Sequence, residues 1–216
     1  MCAVLEHYRK HAITTPRFKL LNTPRENIET CLLAAMALKV EEHGKTLVIT
    51  DNLIENIHQI AVALTDDSKT FGFFLCGGCG NGKTTFVKAL QFFLSECQLK
   101  RDNYSYWTFR TYHAHDIIYH ESEKKDEWLA LCNRPMIAID DLGGEPIEVL
   151  RYGTRYSPII DLLVRRYENM LFTIITTNLD PKQIRESYGD RIADRLNEMM
   201  MKIVFRDDTF RTQTPK

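Results

Sequence analysis

This 216-residue chain carries no charge excess and no long apolar run. Its 28 Lys+Arg stand against 29 Asp+Glu, a net charge of −1. Any nucleic-acid contact must therefore come from local patches or from assembly, not from a basic surface overall. No apolar stretch approaches the ~18 residues of a membrane-crossing helix, and Met1–Lys10 has no signal-peptide apolar core. The reading is a cytoplasmic protein with no membrane partner. Cysteines are few and scattered (Cys2, Cys31, Cys76, Cys79, Cys97, Cys132), and free thiols are the default in a chain of cytosolic type. Cys76-x-x-Cys79 has neither a second ligand pair for zinc nor a thioredoxin-like setting. No internal repeat or low-complexity tract is visible. What remains is ordinary for a globular protein, 44% hydrophobic and 26% charged, with length for one sizeable α/β domain and a small appendage.

Against that plain background one stretch stands out. Phe71, Phe73, Phe74 and Leu75 form a short strand-like run that breaks at Gly77-Gly78-Cys79-Gly80-Asn81-Gly82-Lys83-Thr84, a full match to G-x-x-x-x-G-K-S/T. Phe86, Leu90, Phe93, Leu94 and Cys97 then recur at helical spacing. Strand, glycine loop and helix are the setting in which this pattern binds phosphates. Glycine permits positive φ and leaves no Cβ in the way of a phosphate chain. Loop and helix N-terminal N–H groups face the anion, and the helix dipole adds to the attraction. Gly77 through Thr84, with Thr85 behind them, are thus the candidate ATP-binding residues. Lys83 would reach the β- and γ-phosphates and Thr84 would ligate Mg²⁺.

The rest of the chain alternates helix and strand. Thr23 can cap a helix with Pro24 at its first position; Ile28, Cys31, Leu32, Ala35, Met36 and Val40 form its stripe, and Gly44 ends it. This stripe either packs on the main domain or docks a partner. Lys45–Thr50 reads as a strand, and Asp51 or Asn52 caps a helix bearing Ile54, Ile57, Ala61 and Leu64. Tyr104–Thr111 reads as a strand, Ala114–Glu123 and Asp126–Leu131 as helices, and Pro135–Asp141 as a buried strand ending in two acids. Pro158–Asn169 is helical, Leu171–Thr177 is a strand, short helices follow from Pro181, and Met201–Phe205 is the last strand. The alternation predicts a parallel, doubly wound α/β sheet with helices on both faces.

Asp140 and Asp141 therefore fall at the carboxyl edge of that sheet, where such folds bind ligands. One carboxylate there can hold Mg²⁺ and the other can polarise the attacking water, with Asp140 read as the metal residue and Asp141 as the catalytic one. Asn178 ends the later strand on the same edge and can reach the γ-phosphate or the water.

In this order the motifs resemble the DnaC-type helicase-loader branch of the AAA+ ATPases, to which the transposition helper IstB also belongs. The resemblance rests on Gly77…Lys83-Thr84, Ile139-Asp140-Asp141-Leu142-Gly143, Thr176-Thr177-Asn178 and Tyr188-Gly189-Asp190-Arg191-Ile192-Ala193-Asp194-Arg195-Leu196, and spans roughly 46–211. It implies a P-loop AAA+ domain over 46–216 with Walker A, Walker B and sensor 1 roles for the residues above. A helical extension over 1–45 would be a candidate partner-docking segment, and no helical lid is expected after the Phe205 strand. It also implies that Arg195, with Arg191 one turn earlier, is the arginine finger acting on a neighbouring subunit's ATP. Read without the resemblance, both arginines would be surface partners of Asp190, Asp194 or Glu198. Asp141 stands where most AAA+ proteins carry Glu, and the lead-in is short for a helicase-binding domain and lacks zinc-ligand spacing. Arg211, in Asp208-Thr209-Phe210-Arg211, resembles the family's terminal Ser-Tyr-Arg.

The implied partners are ATP with Mg²⁺, further copies of the chain, single-stranded DNA, and a replicative (DnaB-like) helicase or, in the IstB reading, a transposase. For DNA the candidates are Lys124-Lys125 and Arg151-Tyr152-Gly153-Thr154-Arg155-Tyr156, where basic and aromatic residues mix; each alone reads more readily as a solvated loop. Two other classes stay open. A P-loop small-molecule kinase would need an arginine-bearing lid, for which no segment is visible. An ATP-gated binding module would make hydrolysis incidental.

Overall fold

The computed structural model describes residues 18–66, 69–101, 105–151 and 153–207, without the side chain of Arg151. Alternate residues of β1 (Gly72–Gly77) generate its two layers, since successive strand side chains face opposite sides. Phe73 and Leu75 join one buried cluster; Phe74 and Cys76 join the other. The first cluster is closed by α1 (Arg25–Glu41), α2 (Asp51–Thr65) and α3 (Lys83–Cys97). The second is closed by α4 (Ala114–Glu123), α5 (Lys125–Asn133), α6 (Pro158–Glu168), α7 (Pro181–Tyr188) and α8 (Asp190–Met199). Between them lie β2 (Arg110–His113), β3 (Met136–Leu142), β6 (Phe172–Thr177) and β7 (Met201–Phe205), in the order β2-β3-β6-β1-β7 with every pair parallel. A separate hairpin, β4 (Val149–Arg151) with β5 (Thr154–Tyr156), follows β3.

This order places β6 between β1 and β3, so the glycine loop, Asn178 and the two acids leave the sheet side by side. Past β1 the chain enters α3 on one face, whereas past β6 it enters α7 on the other. The crevice between such diverging connections is where open α/β sheets hold their ligands. The expected doubly wound parallel sheet is the one observed.

Several local expectations change. Lys45–Thr50 forms no strand; Val48 and Ile49 are exposed, and Thr50 instead caps α2 by accepting from the Leu53 N–H at 3.1 Å, in place of Asp51 or Asn52. Thr23 does not cap α1: the N-cap is Pro24, and the Thr23 N–H closes a turn onto Leu20 at 2.9 Å. The α1 stripe of Ile28, Leu32, Ala35 and Met36 is buried in the same cluster as Phe86 and Leu90 of α3, while Cys31 is exposed. The strand expected over Tyr104–Thr111 starts only at Arg110, where pairing with Ile137 begins, and Tyr104 lies outside the described residues. No described helix is long and apolar enough to cross a membrane.

One buried cation braces the amino edge of the sheet. Arg166, fully buried, donates to the carbonyls of Leu131, Arg134 and Phe172 and to the Thr173 hydroxyl, all at 2.8–2.9 Å. Burial pulls its guanidinium down to about 9, so it stays protonated at neutral pH. Arg166→Met would strand these acceptors, each worth about 1–3 kcal/mol when unpaired. Urea unfolding should show a loss of about 4 kcal/mol or more; a loss under ~1 kcal/mol would mean the brace is dispensable.

Candidate active site

The glycine loop is shaped by what lies beneath it. Gly77 leaves β1 at φ +145°, and a Cβ there would sit 2.2 Å from the Phe205 carbonyl oxygen and 2.6 Å from Asn81 Nδ2. That approach lets Asn81 Nδ2 donate to the same carbonyl at 2.8 Å, tying the loop to β7. Gly80 and Gly82 also take positive φ, +80° and +95°, and Gly82 is the left-handed residue from which α3 starts.

Lys83 opens that helix and is only 7% exposed. Its ammonium donates to Gly77 O at 2.8 Å, Gly78 O at 2.6 Å, Asn81 Oδ1 at 3.0 Å and Asn178 Oδ1 at 2.9 Å. Desolvation lowers its pKa, opposed by the nearby Cys79 thiol and by Asp141, Cys76 and Asp140.

The acids are presented by a break in β3. Ile139 pairs with Ile175 and Leu142 with Thr177, so three steps on β3 oppose two on β6, and Asp141 takes φ +61° at the bulge. Consecutive strand residues normally face opposite sides, and a bulge re-aims one of them. Here both carboxylates reach the same edge. Asp140 accepts from Thr84 Oγ1 at 2.9 and 3.2 Å and from Thr176 Oγ1 at 2.6 Å. Asp141 accepts from Asn178 Nδ2 at 2.9 Å, its own N–H donates to Thr176 Oγ1 at 2.8 Å, and His113 Nε2 lies 3.7 Å from its Oδ2.

Lys83, Thr84, Asp140, Asp141 and Asn178, with Thr176 bridging the two acids, thus form one hydrogen-bonded set drawn from α3, β3 and the end of β6. Thr84 and Asp140 offer adjacent hard oxygens, the donor chemistry of Mg²⁺ at a phosphate site. Among the described residues no cluster of three or more His, Cys, Asp or Glu could hold a metal by itself. Cys76 is buried against the Ile203 carbonyl, 3.7 Å away, and Cys79 is exposed on the loop.

The arginines lie apart from this set. Arg195 is folded over the Tyr167 ring, 4.8 Å from its centroid, with Glu168 at 3.6 Å and a side chain 16% exposed. Those partners end α6 and lead into the amino end of β6, the edge opposite the phosphate loop. Arg191 is exposed. Asp190 and Asp194, the acids expected for these arginines, are taken by Arg185 at 2.6 and 2.8 Å. Of the DNA candidates, Lys124 pairs with Glu127 at 3.5 Å and Arg155 with Glu148 at 3.7 Å. The Tyr156 hydroxyl donates to Glu121, fastening the β4–β5 hairpin to α4 and bringing the two candidate segments together. Tyr152 and Arg211 lie outside the described residues. Sequence reasoning missed His113 and the buried Glu145, and quoted Thr176 and Tyr188 within motifs without giving either a role; Thr176, two residues before Asn178, carried a signal in its position.

Set against solved structures, the chain matches the DnaC helicase loader with a TM-score of 0.57 at 20% identity, over 74% of this chain and 93% of that one. It shares the fold of that helicase loader and of DnaI. DnaI matches with a TM-score of 0.58 at 20% identity, over 88% of this chain and 94% of its own. AMPPCP-bound DnaA from Aquifex aeolicus matches with a TM-score of 0.51 at 14% identity, over 73% and 48%. No family model and no curated protein matches the sequence. At such identities the likeness is one of fold, and the site rests on its own geometry.

Gly77→Ala tests the close approach that shapes the loop. A forced left-handed residue costs about 1–3 kcal/mol before any clash, so chemical denaturation should show at least that loss. A variant within ~0.5 kcal/mol of the parent, the range of neutral surface changes, would contradict it.

Proposed function

We propose that this chain is an ATP-binding and ATP-hydrolysing AAA+ protein that assembles through its nucleotide and loads or remodels a replicative helicase on single-stranded DNA. The observation that carries the reading is the linked set Lys83–Asn178–Asp141 and Thr84–Asp140, gathered at the mouth of a glycine loop. Residues 46–216 would carry the ATPase and 1–45 the extension. The helicase part rests on the fold shared with the DnaC helicase loader, and the nucleotide and DNA parts gain support from the DnaA structure bound to AMPPCP and single-stranded DNA.

In this reading the loop N–H groups and Lys83 bind the triphosphate, and Thr84 and Asp140 hold Mg²⁺. The cation supplies charge neutralisation at the β- and γ-phosphates. Asp141 takes hydrogen bonds from the attacking water, and Asn178 orients that water while keeping Asp141 in place. Neither Arg191 nor Arg195 lies beside its own loop, and in this reading the positive charge for the γ-phosphate comes from Arg195, with Arg191, of a neighbouring copy. Lys124, Lys125 and Arg155, held on one surface by the Tyr156–Glu121 contact, would follow the DNA backbone, each weak alone but repeated around an assembly.

Two variants separate binding from hydrolysis. ATP at 100 times its Kd should stabilise the protein by about 2.7 kcal/mol, and Lys83→Ala should abolish that gain. Arg195→Ala should keep it while turnover falls on the order of 10³-fold. In the parent protein, turnover per subunit should rise with protein concentration and with single-stranded DNA. Concentration-independent turnover that survives Arg195→Ala would overturn the reading.

A further inference from the structure

Glu145 is an acid where the fold has no need of one. It is 5% exposed, on the loop just past Asp141, and its partners among the described residues are uncharged, the Gly143 N–H and the Tyr188 hydroxyl. Burying a carboxylate without a cation is costly unless hydrogen bonds hold it. Two do. Oε2 accepts from the Gly143 N–H at 2.8 Å, and Oε1 accepts from the Tyr188 hydroxyl. Tyr188 is itself 4% exposed. Burial, then the bond to Glu145, pushes its phenol far up, so it remains a donor.

The position of this pair gives it consequence. Tyr188 is the last residue of α7, and Gly189, at φ +82°, is the joint from which α8 and its arginines depart. The same acid loop touches the segment before α7, where a Cβ on Gly143 (φ +96°) would lie 2.4 Å from Leu179 Cδ1. Leu179 directly follows Asn178. Outside, Arg185 of α7 grips Asp190 and Asp194 of α8, so the two helices move as one piece. The loop behind the catalytic acid and the helix pair bearing the arginines therefore share one buried fastening.

We propose that the Glu145–Tyr188 contact is a positioning latch: it fixes the α7–α8 joint relative to Asp141, and so sets how Arg191 and Arg195 are presented to a neighbouring copy. The inference rests on the proposed function, in which those arginines act across a subunit boundary. An apolar pair would fill the same space, but would leave the clamped α7–α8 pair free to shift as a unit without reference to the acid loop.

Tyr188→Phe removes the hydroxyl and keeps the ring; Glu145→Gln keeps the shape and removes the charge. Binding of a fluorescent ATP analogue should stay within twofold of the parent for both, while turnover falls at least tenfold. The deciding readout is mixing. Asp141→Asn subunits cannot hydrolyse ATP but present intact arginines, so mixed with Tyr188→Phe or Glu145→Gln subunits they should restore turnover at the latch variants' own sites. A mixture of Arg195→Ala with Asp141→Asn serves as reference. If the reference recovers activity but both latch variants turn over like the parent, or both stay inactive when mixed, the latch is wrong and the proposed function stands. If the reference fails to recover and parent turnover is independent of concentration, the proposed function fails and takes the latch with it.

Discussion

A half-enclosed ammonium holds this site together. Lys83 has three N–H donors and four oxygens within 2.6–3.0 Å, contributed by Gly77, Gly78, Asn81 and Asn178. Desolvation works against its charge, and only acceptors packed this closely make the position tolerable. Their demand sets the loop. With the Gly77 and Gly78 carbonyls turned toward the ammonium, the trans peptide planes direct the N–H groups of Gly78 and Cys79 the other way. The cation thus orients the donors that a phosphate would meet.

The same ammonium reaches across the sheet. Its bond to Asn178 engages β6, Asn178 engages Asp141 on β3, and Asn81 engages the Phe205 carbonyl on β7. Three connections thus share one hydrogen-bonded set because β6 separates β1 from β3. A bulge that puts Asp141 in a left-handed conformation completes it, and that strain is sustained by the Thr176 hydroxyl beneath. Displacing the Lys83 contacts onto a triphosphate would therefore be felt at the acids and, through Glu145 and Tyr188, at the joint before α8.

Much of this was legible in residue order. The glycine loop with its flanking strand and helix, the apolar run closing on Asp140-Asp141, and the strand ending at Asn178 each combine a composition with a period, and each lies where expected. Met201–Phe205 and Ala114–Glu123 match to the residue. What escaped depends on contacts distant in sequence. Leu47-Val48-Ile49 has strand composition but pairs with no strand; the edge of β7 nearby is met instead by the Asn52 side chain, at the Val204 carbonyl and the Arg206 N–H. Thr50 outcompetes Asp51 as cap because its own hydroxyl reaches the Leu53 N–H. The β4–β5 hairpin contains exposed Leu150, 70% accessible, and no alternation to announce it. Glu145 looked like one more loop acid, and only the fold brings Tyr188 to it, 43 residues later.

In the proposed function, Lys83, Thr84 and Asp140 receive a metal-bound triphosphate. A crystal structure grown with Mg²⁺ and a non-hydrolysable ATP analogue tests it most directly. In that crystal Lys83 should exchange the Asn178 and Gly78 oxygens for phosphate oxygens, and the direct Thr84–Asp140 hydrogen bond should give way to shared coordination of the cation. Nucleotide bound elsewhere, or all four Lys83 contacts intact beside a bound triphosphate, would contradict it.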